Sequence, residues 1–166
     1  MELVEGRLTV ADVDELVEQL AAVGDEHGTT VQAFDARYVA GREHLERAVE
    51  LADRAIERGE NVARNRGVEI LLYAAGRRQI NRALEMGVSE GEVPAVVLVD
   101  GGDEAAAAEA VRDRLALSPE PTVGVEHADE ERIQAFFDVT DAERAATDAT
   151  LAELVRERVA LLEVEK

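Results

Sequence analysis

The alternation of apolar and polar positions predicts three strands and a weaker fourth one. The second half of residues 2–10 alternates between apolar and polar side chains, which indicates a strand with one buried face. Residues 29–34 are rich in β-branched side chains and predict a second strand. Residues 93–99 form a near-continuous apolar run, typical of a central strand that is buried on both faces. Residues 122–126, which follow a loop with two prolines, predict the weak fourth strand.

Between these strands, apolar positions recur every three or four residues, which predicts helices. The predicted helices span residues 12–24, 41–59, 61–75, 77–86, 103–115 and 129–136. In the first two helices the side chains expected to face inward are Val13, Leu16, Val17, Leu20 and Ala21, and then Leu45, Val49, Ala52 and Ile56. Glu43 with Arg47, and Glu50 with Arg54, are four residues apart, so we expect both pairs to form ion pairs along the second helix.

Capping signals predict a helical C-terminus. Thr140 and Thr150 each precede a glutamate by three residues, which is the pattern of a capping box. The chain contains no internal repeat and no low-complexity linker. We therefore expect a single α/β domain over residues 1–166.

The charge balance narrows the classes of function. The chain has 37 acidic residues against 18 basic ones, a formal charge of −19, and Lys166 is its one lysine beside 17 arginines. This balance excludes basic nucleic-acid coat proteins and polybasic membrane binders. An acidic, arginine-containing surface almost free of lysine is typical of proteins from salt-accumulating microbes, and an ordinary acidic mesophilic protein is the alternative. Without a signal peptide or membrane span, we expect no membrane partner and a cytoplasmic location.

The residue types needed for catalysis are scattered. The three histidines lie far apart in the chain, and cysteine is absent. Residues 101–104 join a predicted strand to a helix, but two acids stand where a phosphate would bind, and the phosphate-loop spacing of glycines is missing. Because nothing combines a nucleophile with a base, we expect no enzymatic activity, no metal and no cofactor.

The exception to the acidic character is the middle of the chain. Residues 37–82 hold 10 arginines against 7 acids, whereas residues 1–36 and 83–166 carry charges of −8 and −14. Arg78 and Arg82 are four apart on a predicted helix, a like-charge spacing that is unfavourable in isolation. Such a reversal favours an anionic partner, and ion pairs with carboxylates of neighbouring elements are the alternative.

Residues 67–84, GVEILLYAAGRRQINRAL, resemble the central motif of the small tRNA-binding subunit of the archaeal KEOPS complex, a relative of the animal PRPK-binding protein. The matching positions are Glu69, Leu71, Gly76, Arg78, Gln79, Ile80 and Ala83. A His-Leu-x-x-Ala helix start at His44 and the apolar strand at residues 96–99 agree with the resemblance. The departure is the acidity, since relatives carry lysines on surfaces that could face RNA.

The resemblance implies a fold and a role. The fold is an antiparallel-to-mixed four-stranded sheet covered by helices. The role is that of a non-catalytic subunit of the complex that makes threonylcarbamoyladenosine in tRNA. It docks on the kinase-like ATPase subunit, and through it on the transferase and dimerising subunits, and it binds the single-stranded 3′ CCA end of tRNA. The alternative is a protein adaptor that regulates the kinase-like subunit without touching RNA.

The residues expected to contact RNA are Arg64, Arg66, Arg77, Arg78, Gln79, Ile80 and Arg82. Arginines suit phosphates, a glutamine suits base edges, and an apolar side chain offers a shelf for base faces. The alternatives are helix capping for Gln79 and core packing for Ile80. We expect Glu69 to be a structural partner of a motif arginine instead of an RNA contact.

Overall fold

The computed structural model describes residues 1–124 and 126–165, with side chains through residue 163. The strands are β1 (Glu2–Val10), β2 (Thr30–Asp35), β3 (Gly91–Asp100) and β4 (Leu117–Pro119). The helices are α1 (Val13–His27), α2 (Arg42–Glu57), α3 (Arg66–Ala75), α4 (Ile80–Ala83), α5 (Glu104–Arg114), α6 (Glu130–Phe136), α7 (Asp141–Ala145) and α8 (Leu151–Glu165). Short 3₁₀ turns at Ala36–Tyr38 and Leu84–Met86 follow β2 and α4. The α/β class and the helical C-terminus are confirmed.

In the described part of the chain, the strands form one sheet in the order β2-β3-β1-β4. Every neighbouring pair is antiparallel, so the sheet has no parallel pair that would make it mixed. β3 lies between two strands, and Val93, Ala95, Val96, Val97, Leu98 and Val99 are all buried. Because consecutive side chains of a strand point to opposite faces, β3 is buried on both of them, as its apolar run predicted.

The fourth strand predicted at residues 122–126 was wrong where it can be compared: residues 122–124 and 126 form no strand, and residue 125 lies outside the described residues. β4 lies earlier, at Leu117–Pro119, and pairs with β1 at the edge of the sheet. An edge strand pairs on one side only and so tolerates a proline, which lacks an N–H, and Pro119 can therefore end this strand. Thr122 is held by side-chain bonds: its N–H donates to Glu5 and its hydroxyl to the Ala95 carbonyl, each over 2.9 Å.

The contacts divide the chain into two compact units. The sheet unit comprises Met1–Ala36 and Gly87–Thr122, and the helical unit comprises Arg37–Met86 and Val123–Lys166. In the sheet unit, α1 and α5 pack on one face of the sheet around a core of aliphatic side chains. In the helical unit, α2 packs against both α3 and α8. With few aromatic residues available, valine, leucine and alanine fill most of both interiors.

Two helix faces differ from their predictions. In α1 the buried residues include Leu16, Leu20 and Val23, whereas Val17 and Ala21 face solvent. Gly24 does not end the helix, which continues to a left-handed Gly28. A Cβ on Gly24 would lie 2.7 Å from the Thr29 carbonyl oxygen, so this glycine permits a close backbone approach.

In α2 the inward face comprises His44, Leu45, Ala48, Leu51, Ala52 and Ala55. Ile56 was expected inside but is exposed, and Val49 is half-buried. The buried face is centred on Ala48 and Ala55, and each following residue, Val49 or Ile56, projects roughly 100° away from that centre. Glu50 pairs with Arg54 as predicted and also with Arg47, whereas Glu43 contacts Arg156 on α8. No helix in the described residues is long and apolar enough to span a membrane.

Candidate functional site

The helix α3 is built by local hydrogen bonds at its start. The Asn65 side chain accepts a hydrogen bond from the Val68 N–H, which caps the helix. Glu69 is fully buried, and its carboxylate accepts hydrogen bonds from the N–H groups of Val62 and Ala63, at 3.0 and 2.9 Å. Glu69 therefore holds the preceding loop through backbone amides, whereas the partner predicted for it was a motif arginine.

Gly76 ends α3 and turns the chain outward. Its φ of +62° lies in the left-handed region, and the N–H of Arg77 donates to the Leu72 carbonyl. A Cβ at this position would lie 3.3 Å from the Arg158 carbonyl oxygen. The conformation and the close approach both favour glycine, and the following residues 78–82, here called the exposed segment, all face solvent.

Two of the seven predicted site residues are held inside the helical unit. Arg66 binds Asp53 with two hydrogen bonds, Nε to Oδ1 at 2.7 Å and Nη2 to Oδ2 at 2.9 Å. Arg77 donates from Nη2 to the Phe136 carbonyl and lies 3.9 Å from the Asp138 carboxylate. Both guanidinium groups have structural partners and are only partly accessible.

The other five predicted residues are exposed. Arg64 lies in the loop before α3, and Arg78, Gln79, Ile80 and Arg82 lie on the exposed segment. Gln79 occupies the N-cap position of α4, yet its side chain makes no capping hydrogen bond. Ile80 is 43% exposed and so does not belong to the core. Neither capping nor core packing explains these two side chains.

A concavity of about 240 Å³ adjoins the exposed segment. It is called here the arginine–aromatic concavity, and it is lined by Tyr38, Arg77, Arg82, Glu85, Arg132, Ala135, Phe136 and Asp138. The structure thus brings Arg77 and Arg82 of the predicted site together with Arg132 from α6. Arg64 and Arg66 do not line it.

Two cation–π contacts organise this concavity. Tyr38 and Phe136 meet edge to face with their ring centroids 5.2 Å apart. The Arg132 guanidinium lies 5.5 Å from the Tyr38 centroid, and the Arg77 guanidinium lies 5.1 Å from the Phe136 centroid. A hydrogen bond to the Tyr38 hydroxyl raises the pKa of Arg132, and the N–H of Arg132 lowers the pKa of Asp129 by donating to its carboxylate.

Sequence analysis missed Tyr38, Arg132 and Phe136. Arg132 follows two glutamates, so the local sequence is acidic and does not predict an anion-binding site. The available signal was the scarcity of aromatic residues, because three of the five in the chain, Tyr38, Phe136 and Phe137, lie together in this cluster. Tyr38 is far from Phe136 and Phe137 in the sequence, so their contact in the fold could not be predicted from it.

Comparison with known proteins places the chain in a family. The family model described as kinase binding protein CGI-121 matches residues 9–163. No curated protein matches the chain.

Proposed function

The chain belongs to the CGI-121 family of kinase-binding proteins, and from this premise we propose that it docks on a kinase-like ATPase subunit and binds the single-stranded 3′ CCA end of tRNA. In this proposal the complex is KEOPS, which modifies an adenosine of tRNA to threonylcarbamoyladenosine. In this complex the kinase-like and transferase subunits carry out the reaction, and this chain binds the RNA.

The observation that carries the RNA-binding part is the exposure of Arg78, Gln79, Ile80 and Arg82 on one short segment. An arginine can bind a phosphate, the Gln79 amide can both donate to and accept from a base edge, and Ile80 can contact a base face. A single-stranded end presents all three kinds of group. Ile80, at 43% exposure, leaves an apolar surface open to a ligand between two arginines of the segment.

The charge distribution supports this location. The helical unit contains 14 of the 17 arginines, whereas the sheet unit has 3 arginines against 17 acids, a charge of −14. A polyanion is repelled by the sheet unit and meets its cations on the helical unit. The exposed segment belongs to the arginine-rich helical unit, which is the unit on which we expect RNA to bind.

A second function is favoured by the apolar side chains of the same region. Ile80 is 43% exposed, and Leu84, one turn further along, is 55% exposed. A pair of exposed aliphatic residues also suits a protein partner. In this alternative the chain is an adaptor that regulates the kinase-like subunit and does not contact RNA.

The test measures binding of intact tRNA and of tRNA lacking its CCA end in molar KCl. We expect Arg78→Ala and Gln79→Ala each to weaken binding of intact tRNA about tenfold, because a stacked or base-contacting group contributes roughly 1–3 kcal/mol. Removing the CCA end weakens binding to the wild-type protein by a similar factor. When the shortened tRNA is combined with Arg78→Ala or Gln79→Ala, the two losses of affinity do not add, because both changes remove the same contact. Arg78→Lys restores little, because an ammonium lacks the planar guanidinium.

Arg112→Ala is the matched control, since Arg112 is an exposed arginine on α5 in the acidic sheet unit. It leaves binding of both tRNAs unchanged. If Arg78→Ala binds both tRNAs as the wild type does while capture of the kinase-like subunit persists, the adaptor function replaces this proposal.

The proposal also assigns no catalytic step to this chain. Among the side chains described, those of residues 1–124 and 126–163, no group of three or more His, Asp or Glu is arranged to hold a metal ion. We expect the purified protein neither to hydrolyse ATP nor to transfer threonylcarbamoyl. The measurement is phosphate release by protein freed of copurifying kinase; activity that stays with this chain through that purification contradicts the prediction.

A further inference from the structure

We infer that Arg158 of α8 is a positioning residue for the exposed segment. It does not contact RNA itself; it fixes the part of the backbone from which the segment projects. The inference rests on the proposed function, because the position of the segment matters for binding only if the segment contacts tRNA. The contacts that carry it all lie within the helical unit.

The Arg158 guanidinium holds the turn between α6 and α7, residues 137–140, here called the α6–α7 turn. Its Nε donates to the Phe137 carbonyl over 3.2 Å, and its Nη2 donates to the Asp138 carbonyl over 3.3 Å. Carbonyl groups at the end of a helix have no partner within that helix, so donors from elsewhere must satisfy them. Asp138 also has a φ of +55°, a left-handed conformation that glycine adopts more readily than aspartate. Arg158 therefore stabilises a turn that is unfavourable by itself.

Glu143 of α7 fixes the orientation of the same guanidinium. Two hydrogen bonds join the groups, Nη1 to Oε2 at 2.8 Å and Nη2 to Oε1 at 2.6 Å. Such a bidentate pair fixes the plane of the guanidinium as well as its position. The Arg158 side chain is only 24% exposed, so salt screens this pair less than it screens a pair on the open surface. The guanidinium is therefore held in the plane from which it reaches the turn.

The end of α6 and the α6–α7 turn hold Arg77, the residue that directly precedes the exposed segment. Arg77 donates to the Phe136 carbonyl, and its guanidinium lies 5.1 Å from the centroid of the Phe136 ring. The same guanidinium is 3.9 Å from the Asp138 carboxylate. Because these contacts come from residues next to the carbonyl groups that Arg158 binds, a shift of the turn would also shift Arg77.

Arg158 also supports the start of the exposed segment through its backbone. Its carbonyl oxygen lies 3.3 Å from a Cβ built on Gly76, so the two backbones are in close contact where α3 ends. The segment contributes little order of its own, because α4 is a single helical turn and the side chain of its N-cap residue, Gln79, makes no capping hydrogen bond. Its conformation therefore depends on the contacts that hold Gly76 and Arg77, and Arg158 takes part in both.

The test compares Arg158→Ala with Arg156→Ala. Arg156 is the matched control, because it is an arginine of the same helix whose ion pair is with Glu43 of α2 instead of Glu143. Both variants lose one positive charge from α8, so a general electrostatic effect on tRNA binding is the same in the two. Glu143→Gln is a second, milder variant that keeps the Arg158 side chain and replaces Arg158→Ala if that variant does not fold.

Amide hydrogen exchange of the free protein is the first measurement. The N–H groups of Arg77, Arg82 and Ala83 are hydrogen-bonded to backbone carbonyls and so report the order of the segment. In Arg158→Ala we expect these three amides to exchange about tenfold faster, whereas the amides in the middle of α2 and α3 keep their wild-type rates. A general loss of folding stability would accelerate exchange in α2 and α3 as well. Arg156→Ala keeps the wild-type rates throughout.

Binding of intact tRNA in molar KCl is the second measurement. A segment that holds its binding conformation about a tenth of the time binds about tenfold more weakly, and we expect that loss in Arg158→Ala. Glu143→Gln shows a smaller loss of affinity and a smaller gain in exchange, because Arg158 keeps its bonds to the turn. Arg156→Ala binds tRNA as the wild type does.

The inference is overturned if Arg158→Ala keeps wild-type exchange or wild-type tRNA binding, if its faster exchange extends over α2 and α3, or if Arg156→Ala shows the same losses. Should Glu143→Gln be the variant used, the same outcomes decide. A wild-type protein that does not bind tRNA defeats the proposed function, whereas the exchange rates still show whether Arg158 orders the segment.

Discussion

At the scale of single residues, His44 shows how a polar side chain is used in the interior of the helical unit. The N–H of Ala40 donates to its Nδ1 over 3.1 Å, and its Nε2–H donates to the Ala74 carbonyl over 2.7 Å. These bonds require the neutral ring with its proton on Nε2. Burial lowers the pKa of His44 from 6.5 to about 4, because the charged ring has no water around it.

His44 predicts a loss of stability in mild acid. Its folded pKa is below its unfolded pKa, so between the two values the unfolded chain binds more protons. The stabilisation is complete above about pH 6.5 and decreases as the pH falls towards 4. At about 1.4 kcal/mol per pH unit, the loss between pH 7 and pH 5 is about 2 kcal/mol. Urea unfolding at the two pH values measures it.

His44→Leu reduces that pH dependence, although the variant is less stable throughout because two backbone groups lose their partner. His127→Gln is the control, since His127 is exposed in the loop before α6, and it leaves the dependence as it is in the wild type. An unaltered pH dependence in His44→Leu would show that other groups cause it.

At the scale of elements, helix ends determine where the candidate site lies. Left-handed glycines follow α2 and α3: Gly59 has a φ of +69° and Gly76 one of +62°. Nothing lies within 4 Å of a Cβ built on Gly59, whereas one on Gly76 approaches the Arg158 carbonyl oxygen. Gly59 is favoured by its left-handed backbone alone, whereas Gly76 is favoured both by its left-handed backbone and by the close contact with Arg158.

The pair of glycines predicts a graded effect on stability. Gly59→Ala is expected to lower the free energy of unfolding by about 1 kcal/mol, the usual effect of placing a Cβ in a left-handed position. Gly76→Ala lowers it more, because α8 must also shift by a few tenths of an ångström. Denaturant unfolding of both variants provides the comparison. Equal losses would mean that the contact with Arg158 adds nothing.

At the scale of the whole molecule, negative charge is distributed unevenly. The sheet unit has a charge of −14, and the helical unit has one of −5. Many carboxylates of the helical unit are paired; Glu163, for example, lies within 3.5 Å of both Arg54 and Arg58. Self-repulsion therefore acts mainly within the sheet unit and weakens when salt screens it.

The molecule is expected to become more stable as KCl increases. The screening length falls from about 10 Å at 0.1 M to about 3 Å at 1 M salt, so repulsion between surface carboxylates weakens. Thermal unfolding across this range should show a rising Tm. Two variants test at low salt whether repulsion between carboxylates causes the effect. Glu18→Gln removes an exposed acid of α1 and is expected to raise the Tm. Glu163→Gln removes an acid that is paired with arginine and is expected to lower the Tm. A Tm that stays flat or falls with KCl contradicts the prediction.

Several features follow from the sequence alone because their causes are local. The apolar run of β3 requires burial on both faces wherever the strand is placed. Asp129, Thr140 and Thr150 accept hydrogen bonds from N–H groups three residues ahead, so the starts of α6 and α7 and the first turn of α8 need no distant partner. Gly76 ends α3 for the same reason. Arg78 and Arg82 were notable in the sequence for their charge and spacing, whereas Gln79 and Ile80 were predicted from the family resemblance.

Other features depend on contacts between residues that are distant in the chain. The fourth strand is Leu117–Pro119 because β1 offers it an edge, which no local pattern reveals. Arg66 and Arg77 were predicted with the same chemistry as Arg78, and only the positions of Asp53 and Phe136 give them structural partners. The concavity itself forms where Tyr38 meets Phe136 and Arg132. Stacking and ion pairing act over a few ångströms, so only the tertiary structure decides which of the arginines they hold.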